Sequence, residues 1–373
     1  MSSHTAADPA RRPARRRLAL GLAAGLLACW LVVPASAIQA PSQALPARLS
    51  DKAFWSLVES FSEPDGTFQS DNLVSNERAF QHVVPALRQM KRGGVYLGVA
   101  PDQNFTYLVA LEPAMAFILD IRRGNLRQHL MYKAIIELSE TRADFLSRLF
   151  SRPRPKDLEV KAPAAEILAA FAGATPSETA YEENLRAITD HLTKTHGFAL
   201  TPADLQGIEY IYGMFFQFGP ALTYSSSSGR GRGMPTYAEL QQQTDGIGDN
   251  RAYLASEDLY RTLKTLEERN LVVPIVGDVS GPKALRSIGQ YLTDHRAVVT
   301  AYYTSNVEQY LFQNGRWEAF YANLGALPLD DASTLIRSAR GINILDPIRP
   351  LLKDVSDGKI RTYADVTIRG AIK

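Results

Sequence analysis

The stretch GGVYLGVAPDQN at residues 93–104, followed by MAFILD at residues 115–120, decides the fold. The apolar run 95–99 predicts a buried strand, the turn at 100–102 leads into a helix over 103–111, and 115–119 predicts a second buried strand. Strand, turn, helix and strand with short links are typical of a βαβ unit with parallel strands and a right-handed crossover. The sequence therefore predicts an α/β domain built on a parallel sheet.

The same alternation extends over most of the chain. Pro153 and Pro155 interrupt it, and residues 157–245 are predicted as a helical insertion within one domain spanning 51–373. Further helices are predicted over 51–61, 76–91, 126–150, 255–269, 281–294 and 331–340, and further strands over 271–276, 297–303, 317–323 and near 361–368.

The N-terminal segment has the parts of a secretory signal. Five arginines between positions 11 and 17 precede an apolar run from Leu18 to Val33, and a small-x-small exit ends at Ala37. The run is short for a bilayer-spanning helix, which needs roughly 20 residues. We expect a signal peptide over 1–37, an exposed leader over 38–50 and export to the periplasm or cell envelope. The alternative is an inner-membrane anchor through residues 18–33, and membrane contact is expected through this segment only.

Cysteine content and charge narrow the function classes. The one cysteine, Cys29, follows Leu26-Leu27-Ala28 as in a lipidation motif, although the apolar run continues beyond it. Residues 38–373 therefore hold no thiol, which excludes disulfides, cysteine nucleophiles and thiolate metal sites. They carry 36 basic and 38 acidic side chains, a formal charge of −2, so no nucleic-acid-binding face is predicted.

Polar residues follow four of the predicted strands. Ligands of open parallel sheets bind beyond the carboxyl ends of the strands, where such residues converge. We therefore predict a small-molecule site there. Its predicted binding residues are Gly98, Asp102, Asn104, Asp120, Arg122 and Asp278, and its candidate catalytic residues are Tyr303 and Asn306.

Asp120 is the most informative of these residues. It lies 22 positions beyond Gly98, close to the spacing of about 20 at which a strand-end acid binds a ribose hydroxyl. The alternative is a helix cap or an ion pair with Arg122 or Arg123. Asp102 is expected to cap the helix over 103–111, whose N-terminus points its free N–H groups towards the same crevice.

Four blocks carry a resemblance to a family of uncharacterised bacterial proteins. They are YLGVAPDQNFTY at 96–107, FILDIRRGNL at 117–126, GDVSG at 277–281 and YTSNVEQY at 303–310. The resemblance covers most of residues 50–340. It implies a Rossmann-like, mostly parallel sheet with helices on both faces, similar to class I S-adenosylmethionine-dependent methyltransferases, and it implies no established reaction.

S-adenosylmethionine is accordingly the cofactor that the resemblance suggests. Asp120 matches the ribose-binding acid, Asp278 the residue near the adenine, and Asn306 a polar catalytic residue after the fourth strand. The glycine-rich cofactor loop of methyltransferases is only partly present, because Tyr96 replaces its acid and Ala100 and Asp102 replace its later glycines. An exported protein would also seldom meet this cytoplasmic metabolite.

Other chemistries find less support. The sequence has no G-x-S-x-G motif of serine hydrolases. His191 and His196 are five residues apart, unlike an i,i+4 zinc pair, so no metal site is predicted. His129 either faces the crevice or is a surface or satisfied helical histidine. Two hypotheses remain, a methyltransferase-like enzyme or relic, and a non-catalytic envelope protein that binds a ligand or a partner.

Overall fold

Four of the runs predicted as strands, those at 95–99, 115–119, 271–276 and 297–303, form strands of one sheet. A computed structural model describes residues 44–225, 233–339 and 341–371. The strands are β1 (Val95–Val99), β2 (Met115–Asp120), β3 (Val272–Val276), β4 (Val299–Ser305), β5 (Thr334–Ala339) and β6 (Ile342–Pro347). Their order in the sheet is β3-β2-β1-β4-β5-β6, all parallel except β6, which is antiparallel to β5.

Helices connect and cover these strands. Short 3₁₀ turns occupy Phe80–Val83 and Gly219–Ala221, and a π-helix occupies His191–Thr195. The α-helices are α1 (Asp51–Phe61), α2 (Val84–Leu87), α3 (Gln103–Leu111), α4 (Arg123–Glu137), α5 (Arg142–Phe150), α6 (Ala164–Gly173), α7 (Glu178–Asp190), α8 (Pro202–Phe218), α9 (Tyr237–Gln241), α10 (Glu257–Glu268), α11 (Ala284–Asp294), α12 (Val307–Gln313), α13 (Trp317–Gly325), α14 (Ile348–Ser356) and α15 (Tyr363–Ala371).

The strand order explains how helices cover both faces of the sheet. From β1 the chain moves outward through β2 to β3, and it then returns to β4 on the other side of β1 and continues to β5. Right-handed crossovers in opposite directions place their helices on opposite faces. Accordingly α10 contacts both α3 and α4, whereas α11 contacts both α1 and α13. The predicted Rossmann-like α/β class is confirmed.

The core is continuous through the central strands. Every residue of β1 and β3 is buried, as expected for strands covered on both faces. Helices α6 to α9 follow α5, and α6, α7 and α8 pack against α4 or α5. Within the described ranges, no helix is both long and apolar enough to span a membrane. The predicted signal over 1–37, with Cys29 and the run 18–33, lies outside the described residues, as does 38–43 of the leader.

Several predicted elements near the C-terminus are wrong. Residues 317–323 form helix α13 rather than a strand, and 334–339, predicted as helix, form β5. The segment near 361–368 belongs to helix α15, which starts after Thr362, a residue whose N–H and hydroxyl both donate to Asp365. The long helix predicted over 126–150 is divided in two, because Thr141 and Asp144 form a capping box that starts α5.

Candidate functional site

A cavity of about 250 Å³ lies at the carboxyl ends of β1 to β4, and we call it the strand-end pocket. It spans the point between β1 and β4 where the strand order reverses, which is the usual ligand position in such sheets. Its aromatic lining is Phe68, Tyr224, Tyr303 and Tyr310, and its polar lining includes Asn72, Ser75, Asn76, Gln103, Asp120, Asp278, Ser305, Asn306, Asn314 and Arg316.

The loop after β1 forms one wall of this pocket through Ala100 and Pro101. Asn104 holds the loop from behind, because its amide nitrogen donates to the carbonyls of Val99 at 2.8 Å and Pro101 at 2.6 Å. A Cβ at Gly98 would collide with the Asn104 side chain. Gly98 and Asn104 therefore shape the loop, and neither is among the residues that line the pocket.

Asp102 points away from the pocket into the protein interior. Its Oδ2 accepts hydrogen bonds from Gln241 at 3.1 Å and from the Tyr253 hydroxyl at 3.3 Å. It does not cap α3, so the predicted cap is wrong. Burial without a neighbouring cation raises the pKa of Asp102 to about 7, because desolvation disfavours the charged carboxylate.

Asp120 lies at the end of β2 and lines the pocket. Arg122 donates to both of its oxygens, through Nε at 3.0 Å and Nη2 at 2.7 Å, and its backbone N–H donates at 2.9 Å. The ion pair raised as the alternative is therefore present. Arg122 also donates to the Ser70 carbonyl at 3.1 Å, and it is not a pocket-lining residue. It orients the Asp120 carboxylate by a bidentate contact.

Asp278 lies at the end of β3 in an equivalent position. Ser280 donates to its Oδ1 through the backbone at 2.8 Å and the hydroxyl at 2.6 Å. Arg316 donates to Oδ2 at 2.6 Å, and its side chain is 48% exposed. The backbone of Gly277 donates to the Asp120 carbonyl at 2.8 Å, so the ends of β2 and β3 lie together. Asp120 and Asp278 therefore line the same pocket.

Tyr303 and Ser305 connect the pocket to a buried carboxylate, Glu77. Its Oε1 accepts from Tyr303 at 2.8 Å and from Ser305 at 2.5 Å, and its Oε2 accepts from Gln103 at 3.1 Å and Asn343 at 2.8 Å. Burial, with the nearby Glu77 charge, raises the pKa of Tyr303 well above its ordinary value. The Tyr303 hydroxyl is thus held as a neutral donor.

Asn306 lines the pocket directly after β4. Ser305 precedes it with φ of 53°, a left-handed conformation that turns the chain sharply from the strand into α12. Four predicted site residues therefore line the pocket, namely Asp120, Asp278, Tyr303 and Asn306. Gly98, Asp102, Asn104 and Arg122 lie outside its lining.

Sequence reasoning missed Glu77 and Gln103. Gln103 is the first residue of α3, and Glu77 lies three residues before the 3₁₀ turn at Phe80–Val83. Polar side chains are ordinary at such positions, so only their three-dimensional convergence identifies them. His129, in contrast, does not line the pocket; it is a buried histidine of α4 whose Nδ1 has no hydrogen-bond partner among the described residues. Its Nε2 lies 3.0 Å from the Ala100 carbonyl, and burial lowers its pKa to about 4, so it supports the loop as a neutral ring.

Comparison with known proteins identifies a family. The sequence profile of a domain of unknown function, DUF7790, matches residues 72–203 and 220–348. These ranges contain β1 to β6 and every residue with which Asp120, Asp278 and Tyr303 form the polar contacts given above. A comparison with curated proteins finds no match.

Proposed function

For this chain, which belongs to the DUF7790 family, we propose that the strand-end pocket binds a compact nucleoside-type small molecule. The observation that carries this proposal is the pair of carboxylates, Asp120 and Asp278, at the ends of neighbouring strands in one pocket with aromatic walls. A nucleoside offers hydroxyls that can donate hydrogen bonds to a carboxylate, and a flat base that can pack on aromatic rings. Both features match the lining.

The carboxylates retain acceptor capacity for such a ligand. An ionised carboxylate offers about four acceptor positions. Arg122 occupies three on Asp120, and Ser280 and Arg316 together occupy three on Asp278. Each acid can therefore accept a further hydroxyl or amino group while its internal partners hold it in position.

Size and charge limit the ligand further. The cavity is slightly smaller than the range of about 300–1,000 Å³ common for ligand pockets, which favours a compact molecule. Its charged lining is Asp120, Asp278 and Arg316, a balance that favours a neutral or cationic ligand over a polyphosphate. S-adenosylmethionine, whose sulfonium is positive, remains the cofactor we propose, with methyl transfer as the candidate reaction beside Asn306.

Non-catalytic binding is the second candidate. The Tyr303 hydroxyl is held by Glu77 and Gln103, and its raised pKa removes it as an acid or base near neutral pH. Asn306 carries an amide, which orients a substrate without titrating. This observation favours a protein that captures a small molecule in the cell envelope, or a transfer reaction that needs no general base.

Calorimetry on the full chain tests the proposal with S-adenosylmethionine, S-adenosylhomocysteine, adenosine and inorganic phosphate. We expect an adenosyl ligand to bind, and Asp120→Asn or Asp278→Asn to weaken it at least tenfold, or about 1.4 kcal/mol. Asp258→Asn, which changes an exposed acid on α10, is the matched control. Absence of binding across the adenosyl compounds, or phosphate binding more tightly than adenosine, would contradict the proposal.

The compartment is a separate proposal. The basic head, apolar run and Ala37 exit support export, with anchoring through 18–33 as the alternative. Fusing residues 1–45 to a reporter that is active only outside the cytoplasm tests translocation. Active reporter recovered in soluble form indicates cleavage, active reporter in the membrane fraction indicates an anchor, and an inactive reporter contradicts both.

A further inference from the structure

The side chains of two histidines and a glutamate lie together between the end of α4 and the π-helix over His191–Thr195. The Nε2 atoms of His191 and His196 each lie 2.6 Å from the same oxygen, Oε2 of Glu137. The three atoms all lie within 4.8 Å of one another, and the imidazole rings meet edge to face with centroids 4.8 Å apart. None of these residues lines the strand-end pocket.

The π-helix over His191–Thr195 is the reason that the two histidines face the same way. In an α-helix, residues five apart differ by about 140° around the axis, which is why their spacing argued against a metal pair. Here the His196 N–H donates to the His191 carbonyl at 3.0 Å, an i→i+5 bond that places the two residues about one turn apart. The two histidines therefore face the same way although they are five residues apart.

We propose that Glu137, His191 and His196 bind a divalent transition-metal ion of the Zn²⁺ class. The ligand atoms are the two Nε2 atoms and Glu137 Oε2, a set of imidazole and carboxylate donors that Zn²⁺ favours. The metal replaces the two protons that now join the rings to Glu137. His196 releases its Nε2 proton to solvent and keeps the Nδ1 proton that faces Asp51. The Nε2 proton of His191 passes, by exchange with solvent, to Nδ1 of the same ring, which binds as the neutral imidazole.

Neighbouring side chains orient the proposed metal ligands through hydrogen bonds, as in known metal sites. The other nitrogen of His196, Nδ1, lies 2.6 Å from Oδ1 of Asp51, the carboxylate–histidine arrangement that fixes a metal-binding ring. Lys133 donates to Glu137 Oε1 at 2.6 Å, which leaves Oε2 for monodentate binding. The two histidine side chains are 17% and 11% exposed, so a water can complete the coordination.

The three ligand atoms must move slightly apart before a metal ion fits between them. Zn–N and Zn–O bonds of about 2.0–2.2 Å place tetrahedral ligand atoms roughly 3.3 Å apart. The present N···O distances of 2.6 Å must therefore widen by about 0.7 Å, which rotation of the two partly exposed histidine side chains can supply. A bound ion would join these two elements, as well as α1 through Asp51.

Metal titration of the untagged full chain, after chelator treatment, tests the proposal with Zn²⁺ by calorimetry and Co²⁺ by visible absorption. We expect one tight Zn²⁺ per chain and a tetrahedral Co²⁺ spectrum. His191→Gln and His196→Gln should each weaken binding more than tenfold, and Asp51→Asn about 10–100-fold. His82→Gln, which changes an exposed histidine, is the matched control and should bind as the wild type does.

A second measurement needs no variant and covers the case in which a substitution disturbs folding. X-ray absorption of the Zn²⁺-loaded wild type should count two imidazole ligands. Fewer than two imidazoles, no tight binding by the wild type, or equal affinity in His191→Gln and His82→Gln would each overturn the proposal. In that case the cluster is a hydrogen-bonded network only.

Discussion

Gly98 and Asn104 compete for the same space behind the loop that forms the pocket wall. A Cβ at position 98 would meet the Asn104 side-chain oxygen and would lie 2.8 Å from Cε1 of Tyr96. The perturbation is a double-mutant cycle of Gly98→Ala and Asn104→Ala. Since the alanine at 104 removes the main obstacle to the new methyl group, the two destabilisations should not add.

The magnitudes follow from the contacts. The Asn104 amide donates to loop carbonyls and accepts from the Tyr96 hydroxyl at 2.7 Å, and its removal takes away these buried hydrogen bonds, although the Pro101 carbonyl keeps the Asn104 backbone N–H at 3.4 Å. We expect a cost of about 3 kcal/mol for Asn104→Ala. Overpacking by Gly98→Ala should cost about 2 kcal/mol. The double variant should lose less than their sum by at least about 1 kcal/mol, with some clash against Tyr96 remaining.

Urea unfolding at equilibrium, followed by circular dichroism, measures the four free energies of the cycle. Gly173→Ala is the control glycine, because nothing lies within 4 Å of its added Cβ. Its effect should add to that of Asn104→Ala within about 0.5 kcal/mol. Additivity of the Gly98 and Asn104 variants to the same tolerance would refute the steric account of this loop.

Two pH predictions follow from buried acids. The pKa of Asp102 is raised to about 7, so the folded state keeps a proton that the unfolded state releases near pH 4, and stability should fall as pH rises between these values. Asp102→Asn should flatten urea midpoints between pH 5 and 8, and an unchanged slope would contradict this. Burial acts to raise the pKa of Asp204, but hydrogen bonds from Arg123, Thr201 and Arg127 lower it overall. Its contribution is therefore present above about pH 4 and lost as pH falls, so Asp204→Asn should weaken the acid dependence between pH 5 and 3.

The central strands could be predicted because burial on both faces leaves continuous apolar runs. The same reasoning failed for β5 and β6, whose inward positions carry polar groups. Arg337 of β5 is 1% exposed and pairs with Glu308 at 2.7 Å and with Asp346 of β6. Such a buried ion network removes the alternation that marks a strand, and only partners far along the chain explain it.

In the candidate site, too, some residues could be placed from the sequence and others could not. Asp120 and Asp278 could be located because acids at strand ends meet at one edge of a parallel sheet. Asp102 and Asn104 occupy similar sequence positions, yet the left-handed conformation of Ala100, with φ of 66°, directs the loop so that both side chains point inward. The pairing of His191 with His196 depends on a π-helix, a rare conformation that hydrophobic periodicity does not indicate.

Glu77 has a consequence for the order of events during synthesis. Its oxygens accept hydrogen bonds from Gln103, Tyr303, Ser305 and Asn343, and Asn343 lies 266 residues further along the chain. At about 5–20 residues per second, a ribosome needs roughly 15–50 s to make that interval. The hydrogen bonds that hold Glu77 behind Tyr303 and Ser305 of the strand-end pocket are therefore completed only when Asn343 of β6 has emerged. A nascent chain that stops before Asn343 should hold every strand-end acid and still lack ligand affinity.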